Sequence, residues 1–104
     1  MTMSVTITAE TAQIIQWLEP RKDTDTALRR VLENEIRRRL ATYELTNRVF
    51  QRKYGMTLAE FEAANIVAKQ GYSYEVESDH QDWDQAVDGI ETLHETLHKL
   101  QEQQ

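Results

Sequence analysis

Apolar and polar residues alternate from Met3 to Thr8, and further along the chain apolar residues recur at steps of three and four. The alternation puts Met3, Val5 and Ile7 on one side of a short strand. The steps of three and four predict helices that each carry one apolar face. The predicted fold class is therefore mainly α, with a short N-terminal β-strand followed by three or four helices.

Capping residues and helix breakers predict where the first two helices begin and end. Thr8 is suited to cap a helix over about 9–19, which Pro20 stops. A long helix then runs to Gly55, because glycine is common directly after a helix end. Asn47 interrupts its apolar stripe, which allows a break near 45–48. The candidate N-caps of this long helix are Asp23, Thr24 and Asp25.

The strongest local signal is the pair Thr57 and Glu60, which match the T-x-x-E capping box. It predicts a third helix that reaches about Gln70 and ends at Gly71. The alternation over 72–77 then predicts an extended piece or a short strand. Ser78 or Asp79 caps a last helix, whose apolar residues follow an a/d pattern. These residues are Trp83, Ala86, Ile90, Leu93, Leu97 and Leu100.

The charge of the chain, −6 in total, is divided unequally between its halves. Residues 1–54 hold ten basic and seven acidic side chains, whereas residues 55–104 hold two basic and eleven acidic ones. A basic half can meet phosphate and an acidic half can meet a basic protein. We therefore interpret 1–54 as a strand, helix and long-helix region for dimerisation and DNA binding, and 55–104 as an acidic helical partner-binding region.

Composition limits the class of protein. Only 39% of the 104 residues are apolar, so the core is small and a homodimer is expected. The absence of cysteine excludes disulfides and thiolate metal sites. The sequence has neither the pattern of a secretory signal nor an apolar run long enough to span a membrane. We expect a cytoplasmic protein without a membrane partner.

One string has the form of a metal-site motif, since His94-Glu95-Thr96-Leu97-His98 reads H-E-x-x-H. A third ligand normally follows such a motif, and Glu102 is the sole carboxylate after it. The chain also offers little length for a substrate cleft. Two solvated histidines are the favoured interpretation, and we predict no catalytic residue, no metal, no cofactor and no enzymatic activity.

The N-terminal 40 residues resemble a ribbon-helix-helix DNA-binding domain. The resemblance lies in the strand 4–8, the helix 9–19 and the segment Thr26-Ala27-Leu28-Arg29-Arg30-Val31-Leu32. It implies that two chains pair their strands into a ribbon that enters the major groove, as in that family. The alternative is an arm used only for dimerisation or core packing. The DNA-binding residues implied are Ser4, Thr6, Thr8, Arg29 and Arg30.

Three further arginines, Arg37-Arg38-Arg39, continue the basic run. They form either a nucleic-acid stripe or a solvated face whose charges pair with Glu33, Glu35 or the acidic half. Both interpretations stay open at the level of sequence.

Residues 43–100 carry a second resemblance. Lys53-Tyr54-Gly55-Met56-Thr57-Leu58-Ala59-Glu60-Phe61 and the later Asp82-Trp83-Asp84-Gln85-Ala86 are similar to segments of small prokaryotic antitoxins. The resemblance implies an antitoxin that occludes a basic cognate toxin, such as a nuclease, and that regulates its own operon through operator DNA. The alternative is a ribbon-helix-helix transcriptional regulator without a toxin.

Aromatic side chains among acidic ones suit a basic partner, because aromatics anchor and charges steer. Trp83 has a second interpretation as a core residue of the last helix. The partner-binding residues predicted are Tyr72, Tyr74, Glu75, Glu77, Asp79, Asp82, Trp83 and Asp84.

Overall fold

The computed structural model describes residues 3–21 and 23–102, and within these ranges every regular element is a helix. The helices are α1 (Ala9–Leu18), α2 (Thr24–Tyr54), α3 (Leu58–Ala63), α4 (Ile66–Lys69) and α5 (Tyr74–Gln101). The two long helices, α2 and α5, pack antiparallel along a molecule 57 Å long and 25 by 21 Å across. No helix in the described ranges has the length and hydropathy needed to cross a membrane.

The predicted N-terminal β-strand is wrong, although the mainly α class is right. Residues 3–8 are exposed and belong to no element. A strand exists only through backbone hydrogen bonds to a neighbouring strand, and the described part of the chain contains no second strand to supply them. Alternation of apolar and polar residues was therefore not sufficient to make a strand here.

The start and end of α2 agree with the sequence, but its interior does not. Asp23 caps the helix, since its Oδ1 accepts a hydrogen bond from the Thr26 amide at 2.8 Å, and Gly55 ends it in the left-handed conformation at φ 67°. The 31 residues between them form one helix of about 46 Å. The break allowed near 45–48 does not occur, because Asn47 stays helical and accepts a hydrogen bond from Trp83.

The capping box of the third helix is confirmed, whereas the predicted length of that helix is wrong. The Thr57 hydroxyl accepts from the Glu60 amide at 3.2 Å, and the Glu60 carboxylate accepts from the Thr57 amide at 2.9 Å. The helix stops at Ala63 because Asn65 adopts the left-handed conformation at φ 54°. Asparagine tolerates this conformation better than most residues, so α3 and α4 are separate short helices.

The extended segment predicted over 72–77 is also wrong, because α5 already begins at Tyr74. Gly71 and Tyr72 both have positive φ, 69° and 56°, and Ser73 then caps the helix by accepting from the Val76 amide at 3.3 Å. Ser78 and Asp79, the predicted caps, lie inside α5. Burial of Val76 against the core adds to the cap in favour of the helix.

An aromatic junction forms the best-packed part of the core, and both sequence regions contribute to it. Trp83 and Phe61 are fully buried. The ring centroid of Trp83 lies 5.7 Å from that of Phe50, 5.8 Å from that of Tyr54 and 5.2 Å from that of Phe61. These four side chains are called the aromatic junction below, and they hold α2, α3 and α5 together.

Candidate partner-binding surface

One face of α5 is acidic over most of its length. Its acidic side chains recur at steps of three, four and seven, which places them on the same side of a helix. They are exposed, on the side of the helix opposite the buried Ala86 and Leu97. From first to last they span about 27 Å. This acidic stripe consists of Glu77, Asp84, Asp88, Glu91 and Glu95.

The carboxylates of the acidic stripe form no ion pair within the part of the chain that the structure describes. Among residues 3–21 and 23–102, none of its five carboxylates forms an ion pair, and the acidic residues of α5 that do are Glu75 and Asp79. Neighbouring like charges at i, i+3 or i, i+4 destabilise a helix by about 0.2–0.5 kcal/mol for each pair. The stripe therefore carries repulsion that a cationic surface would relieve.

The basic residues of α2 are in the opposite situation, because most of them pair within their own helix. Glu33, a buried carboxylate, contacts Arg30 at 3.2 Å and Arg37 at 3.0 Å. Glu35 contacts Arg38 at 2.6 Å and Arg39 at 2.9 Å. The interpretation of Arg37-Arg38-Arg39 as a face paired with Glu33 and Glu35 thus describes this structure.

These pairs shift the acidities of both carboxyls. Hydrogen bonds from Arg38 and Arg39 lower the pKa of Glu35 to about 2. A hydrogen bond from Arg37 lowers the pKa of Glu33, against the opposing effect of burial. Both carboxylates stay charged at neutral pH and neutralise the arginines beside them.

A polar latch joins the end of α2 to the start of α5. Lys53 Nζ lies 2.8 Å from a carboxylate oxygen of Glu75 and 2.6 Å from Asp79 Oδ2, to which the Tyr54 hydroxyl also donates at 2.6 Å. Burial, with the hydrogen bond to Asp79, raises the pKa of Tyr54 to about 12. Burial tends to raise the pKa of Asp79, but the hydrogen bonds from Lys53 and Tyr54 outweigh it and lower that pKa.

The structure separates the predicted partner-binding residues into four groups. Trp83 is 0% exposed and donates to Asn47 at 2.8 Å, so in this structure it is a core residue and not an accessible anchor. Glu75 and Asp79 belong to the latch. Asp82 is exposed on a flank of α5, toward the side of Glu75. The accessible remainder consists of Tyr72, Tyr74, Glu77 and Asp84.

Tyr74 is the exposed aromatic that accompanies the stripe. It is 87% exposed and lies one turn before Glu77 on the same side of α5. Tyr72, 64% exposed, precedes the helix. The predicted partner-binding residues left out Asp88, Glu91 and Glu95, yet the same steps of three and four that identify apolar faces would have found them from Asp84.

The predicted DNA-binding residues are not gathered on one surface that is free to meet phosphate. Ser4 and Thr6 are exposed in the segment 3–8, and the Thr8 hydroxyl caps α1 by accepting from the Thr11 amide. Arg29 contacts Asp25 at 2.9 Å, and Arg30 contacts Glu33. Arg29 and Arg30 line a cleft of about 390 Å³, which they share with Arg21, Thr26 and Glu33.

The two histidines of the H-E-x-x-H string lie on the surface of α5. His94 is 3.9 Å from Glu44, and His98 is 3.0 Å from Glu102. Among the described residues, no group of three or more His, Cys, Asp or Glu side chains is placed to hold a metal ion.

In comparisons with protein-family models, with curated proteins and with solved structures, nothing matches this chain.

Proposed function

We propose that this chain is a non-catalytic binding protein, an antitoxin that holds a basic cognate toxin on the acidic stripe of α5. The observation that carries the proposal is the difference in pairing between the two long helices. The arginines around Glu33 and Glu35 form ion pairs with carboxylates of their own helix, whereas none of the five acids of the stripe forms an ion pair among the described residues. The proposal includes a cytoplasmic location.

Electrostatics gives such a surface its binding behaviour. An exposed row of like charges steers an oppositely charged partner and accelerates association, and salt weakens this effect. Association with a basic surface also removes the repulsion within the stripe. A toxin that handles RNA would supply a basic surface of this kind, because it must contact phosphates.

Of the two anchors expected from the sequence, Tyr74 and Trp83, Tyr74 is the exposed one and takes the anchoring role. An exposed tyrosine offers a large, rigid contact area and a hydroxyl at its tip. Tyr74 lies at the N-terminal end of the stripe, so a partner lying along α5 contacts both. The stripe would then determine the rate of association, and Tyr74 would slow dissociation.

DNA binding, the other function considered from the sequence, gains no support from the geometry. The guanidinium groups of Arg29 and Arg30 are each in contact with a carboxylate. A ribbon-helix-helix domain needs a β-strand from each chain, and the segment 3–8 does not form a strand. We therefore propose the toxin-binding function alone.

The test is neutralisation of the product of the adjacent gene. We expect this product to arrest growth when expressed alone and the native chain to restore growth on co-expression. A variant with Asp84→Asn, Asp88→Asn and Glu91→Gln should fail to restore growth, because it removes the centre of the stripe. Binding of the purified pair should show a slower association rate for this variant.

The matched control removes three negative charges elsewhere, with Glu10→Gln, Glu44→Gln and Glu62→Gln. It has the same net charge as the stripe variant, so it separates the location of the charges from their number. We expect it to restore growth as the native chain does. Full protection by the stripe variant, or an adjacent product without toxicity, would contradict the proposal.

A further inference from the structure

The outer face of α1, together with the segment before it, is apolar and uncovered. Trp17 is 79% exposed, Leu18 55% and Ile14 51%, and these three side chains lie on one side of the helix. In the segment directly before α1, every second side chain is apolar and exposed to solvent. The α1 face, as named here, consists of Met3, Val5, Ile7, Ile14, Trp17 and Leu18.

The α1 face is not needed to attach α1 to the rest of the chain. Ile15, at one edge of the apolar stripe of α1, is buried and packs in the region where α1 meets α2. The apolar face of a surface helix is normally covered across its width. In α1 its own chain covers this face at Ile15 and leaves Ile14, Trp17 and Leu18 uncovered.

We propose that the α1 face binds a second copy of this chain, forming a two-fold symmetric dimer. A two-fold axis brings the same patch of both copies together, so a single apolar patch is sufficient for both sides of the interface. Complete burial of these six side chains would remove roughly 700 Å² of accessible surface per copy, against the about 800 Å² that each partner buries in a stable complex.

The charge of the α1 face selects this occupant over others. Residues 3–18 contain one charged side chain, Glu10, on a molecule whose net charge is −6. Two copies thus approach with least repulsion at this face. A basic protein finds almost no counter-charge there, and a membrane surface finds none of the lysines or arginines that interfacial helices usually carry.

The two tryptophans of the chain make the interface measurable without a label. Trp83 is fully buried, so quenching of fluorescence by acrylamide reports on Trp17. We expect sedimentation velocity of the full chain to show a dimer at about 50 µM, with Trp17 becoming less accessible to acrylamide as concentration rises. Dilution should return the quenching to that of an exposed indole.

Trp17→Glu and Ile14→Glu should each raise the dimer dissociation constant roughly 100-fold or more, because each places two charges in an apolar interface. Both side chains are exposed in the monomer, so the circular dichroism spectrum should stay that of the native helix content. The matched control is Leu45→Glu, which alters a side chain 57% exposed on α2. We expect this control to remain a dimer.

A native chain that sediments as a monomer at about 50 µM would overturn the proposal. So would a dimer that survives Trp17→Glu and Ile14→Glu but dissociates with Leu45→Glu, since the interface would then lie on α2. A third arm adds phosphatidylcholine vesicles to dilute protein. Protection of Trp17 by vesicles, without any protection on raising the protein concentration, would assign the face to lipid and also overturn the proposal.

Discussion

α2 and α5 are two helices of similar length in which the charged residues are arranged in opposite ways. α2 places arginines one turn from Glu33 and Glu35, so that its positive charge is compensated within the helix. α5 places acids one turn from other acids, along the stripe from Asp84 to Glu95. The unequal charge of the two halves therefore has a different consequence in each helix. In α2 the positive charges are compensated by nearby carboxylates, whereas in α5 exposed negative charges repel one another.

The same comparison shows what holds the two helices together. Their charges are opposite, but the contacts between them are largely apolar and aromatic, with the latch at Lys53 as a direct ion-pair link. Most arginines of α2 pair within their own helix, and the acidic stripe is exposed. Packing thus decides the pairing of the helices, and charge decides which side of α5 is available to a partner.

The largest effect is expected from Trp83→Ala, which tests whether packing joins the helices. The substitution removes a fully buried ring, its contacts with Phe50 and Phe61, and the hydrogen bond that Asn47 accepts. We expect a loss of about 3–5 kcal/mol in the free energy of unfolding, measured by urea denaturation. On this reading, weaker partner binding by the variant follows from unfolding.

Trp17→Ala is the control for that experiment, because Trp17 is 79% exposed and lies outside the aromatic junction. At a protein concentration low enough to keep the chain monomeric, its free energy of unfolding should be close to that of the native chain. If Trp83→Ala left the protein as stable as Trp17→Ala does, the aromatic junction would not be what joins α2 to α5.

A smaller effect is expected from Gly89→Ala, at the position of α5 against which the Tyr43 ring of α2 packs. A Cβ at this position would lie 2.6 Å from Cε2 of the Tyr43 ring. Alanine favours a helix by about 0.8–1.0 kcal/mol over glycine, whereas overpacking costs about 1–3 kcal/mol. We therefore expect a net loss of up to about 2 kcal/mol in a thermal or urea unfolding measurement.

The double variant with Tyr43→Ala separates these two contributions. Once the ring is absent, Gly89→Ala should stabilise the chain by about 1 kcal/mol, because only the gain in helix propensity remains. The sign of the effect therefore reverses between the two backgrounds. An unchanged sign would mean that Tyr43 does not limit the approach of α5.

The pH dependence of stability should identify the latch. The pKa of Asp79 is lowered from 3.8, so its contribution is present above pH 3.8 and is lost as the pH falls through the folded value. The pKa of Tyr54 is raised from 10.0 to about 12, so its contribution is present below pH 10 and is lost as the pH rises toward 12. Unfolding free energies measured across this range should fall at both ends.

Two substitutions show which group causes the loss of stability at the acidic limit and which at the alkaline limit of the pH range. Asp79→Asn should lower stability at neutral pH and reduce the loss on acidification, while Tyr54→Phe should reduce the loss at alkaline pH. Glu35, with a pKa of about 2, adds a second acid-sensitive contribution between pH 4.5 and 2 that Asp79→Asn leaves in place. Identical acid profiles for the native chain and Asp79→Asn would exclude the latch as a source of the pH dependence.

The smallest effect is expected from substitutions that neutralise charged residues of α2 or of α5. The stripe variant with Asp84→Asn, Asp88→Asn and Glu91→Gln should gain about 1 kcal/mol in stability, because it removes three like-charge neighbour pairs. Glu35→Gln should instead lose stability slightly, since it leaves Arg38 and Arg39 without a partner. Melting temperatures at low salt should show the opposite signs, and both changes should shrink at high salt.

Local chemistry made several helix ends predictable. Thr8, Asp23 and the Thr57–Glu60 box cap helices because each presents a side-chain oxygen to nearby amides that have no partner within the helix. Gly55 ends α2 because glycine adopts a positive φ without strain. Such interactions involve residues three or four apart, so the sequence contains all that they require.

Errors arose where the outcome depended on distant partners. The alternation at 3–8 and at 72–77 looks the same in sequence, yet the first segment forms no element and the second becomes helix. In the second segment, the cap at Ser73, the burial of Val76 and the ion pair of Glu75 with Lys53 all favour a helix. Two of these three require α2 and α3 to be in place.

The sequence by itself determined a mainly helical chain, the caps of its first three helices and the charge difference between its halves, because these depend on composition and on near neighbours. Tertiary structure alone decided that Trp83 is a core residue, that the arginines of α2 are compensated and that five acids of α5 face solvent together. Burial and orientation depend on which helix faces pack, and those faces are brought together by residues far apart in the chain, such as Trp83 and Asn47, which are 36 positions apart.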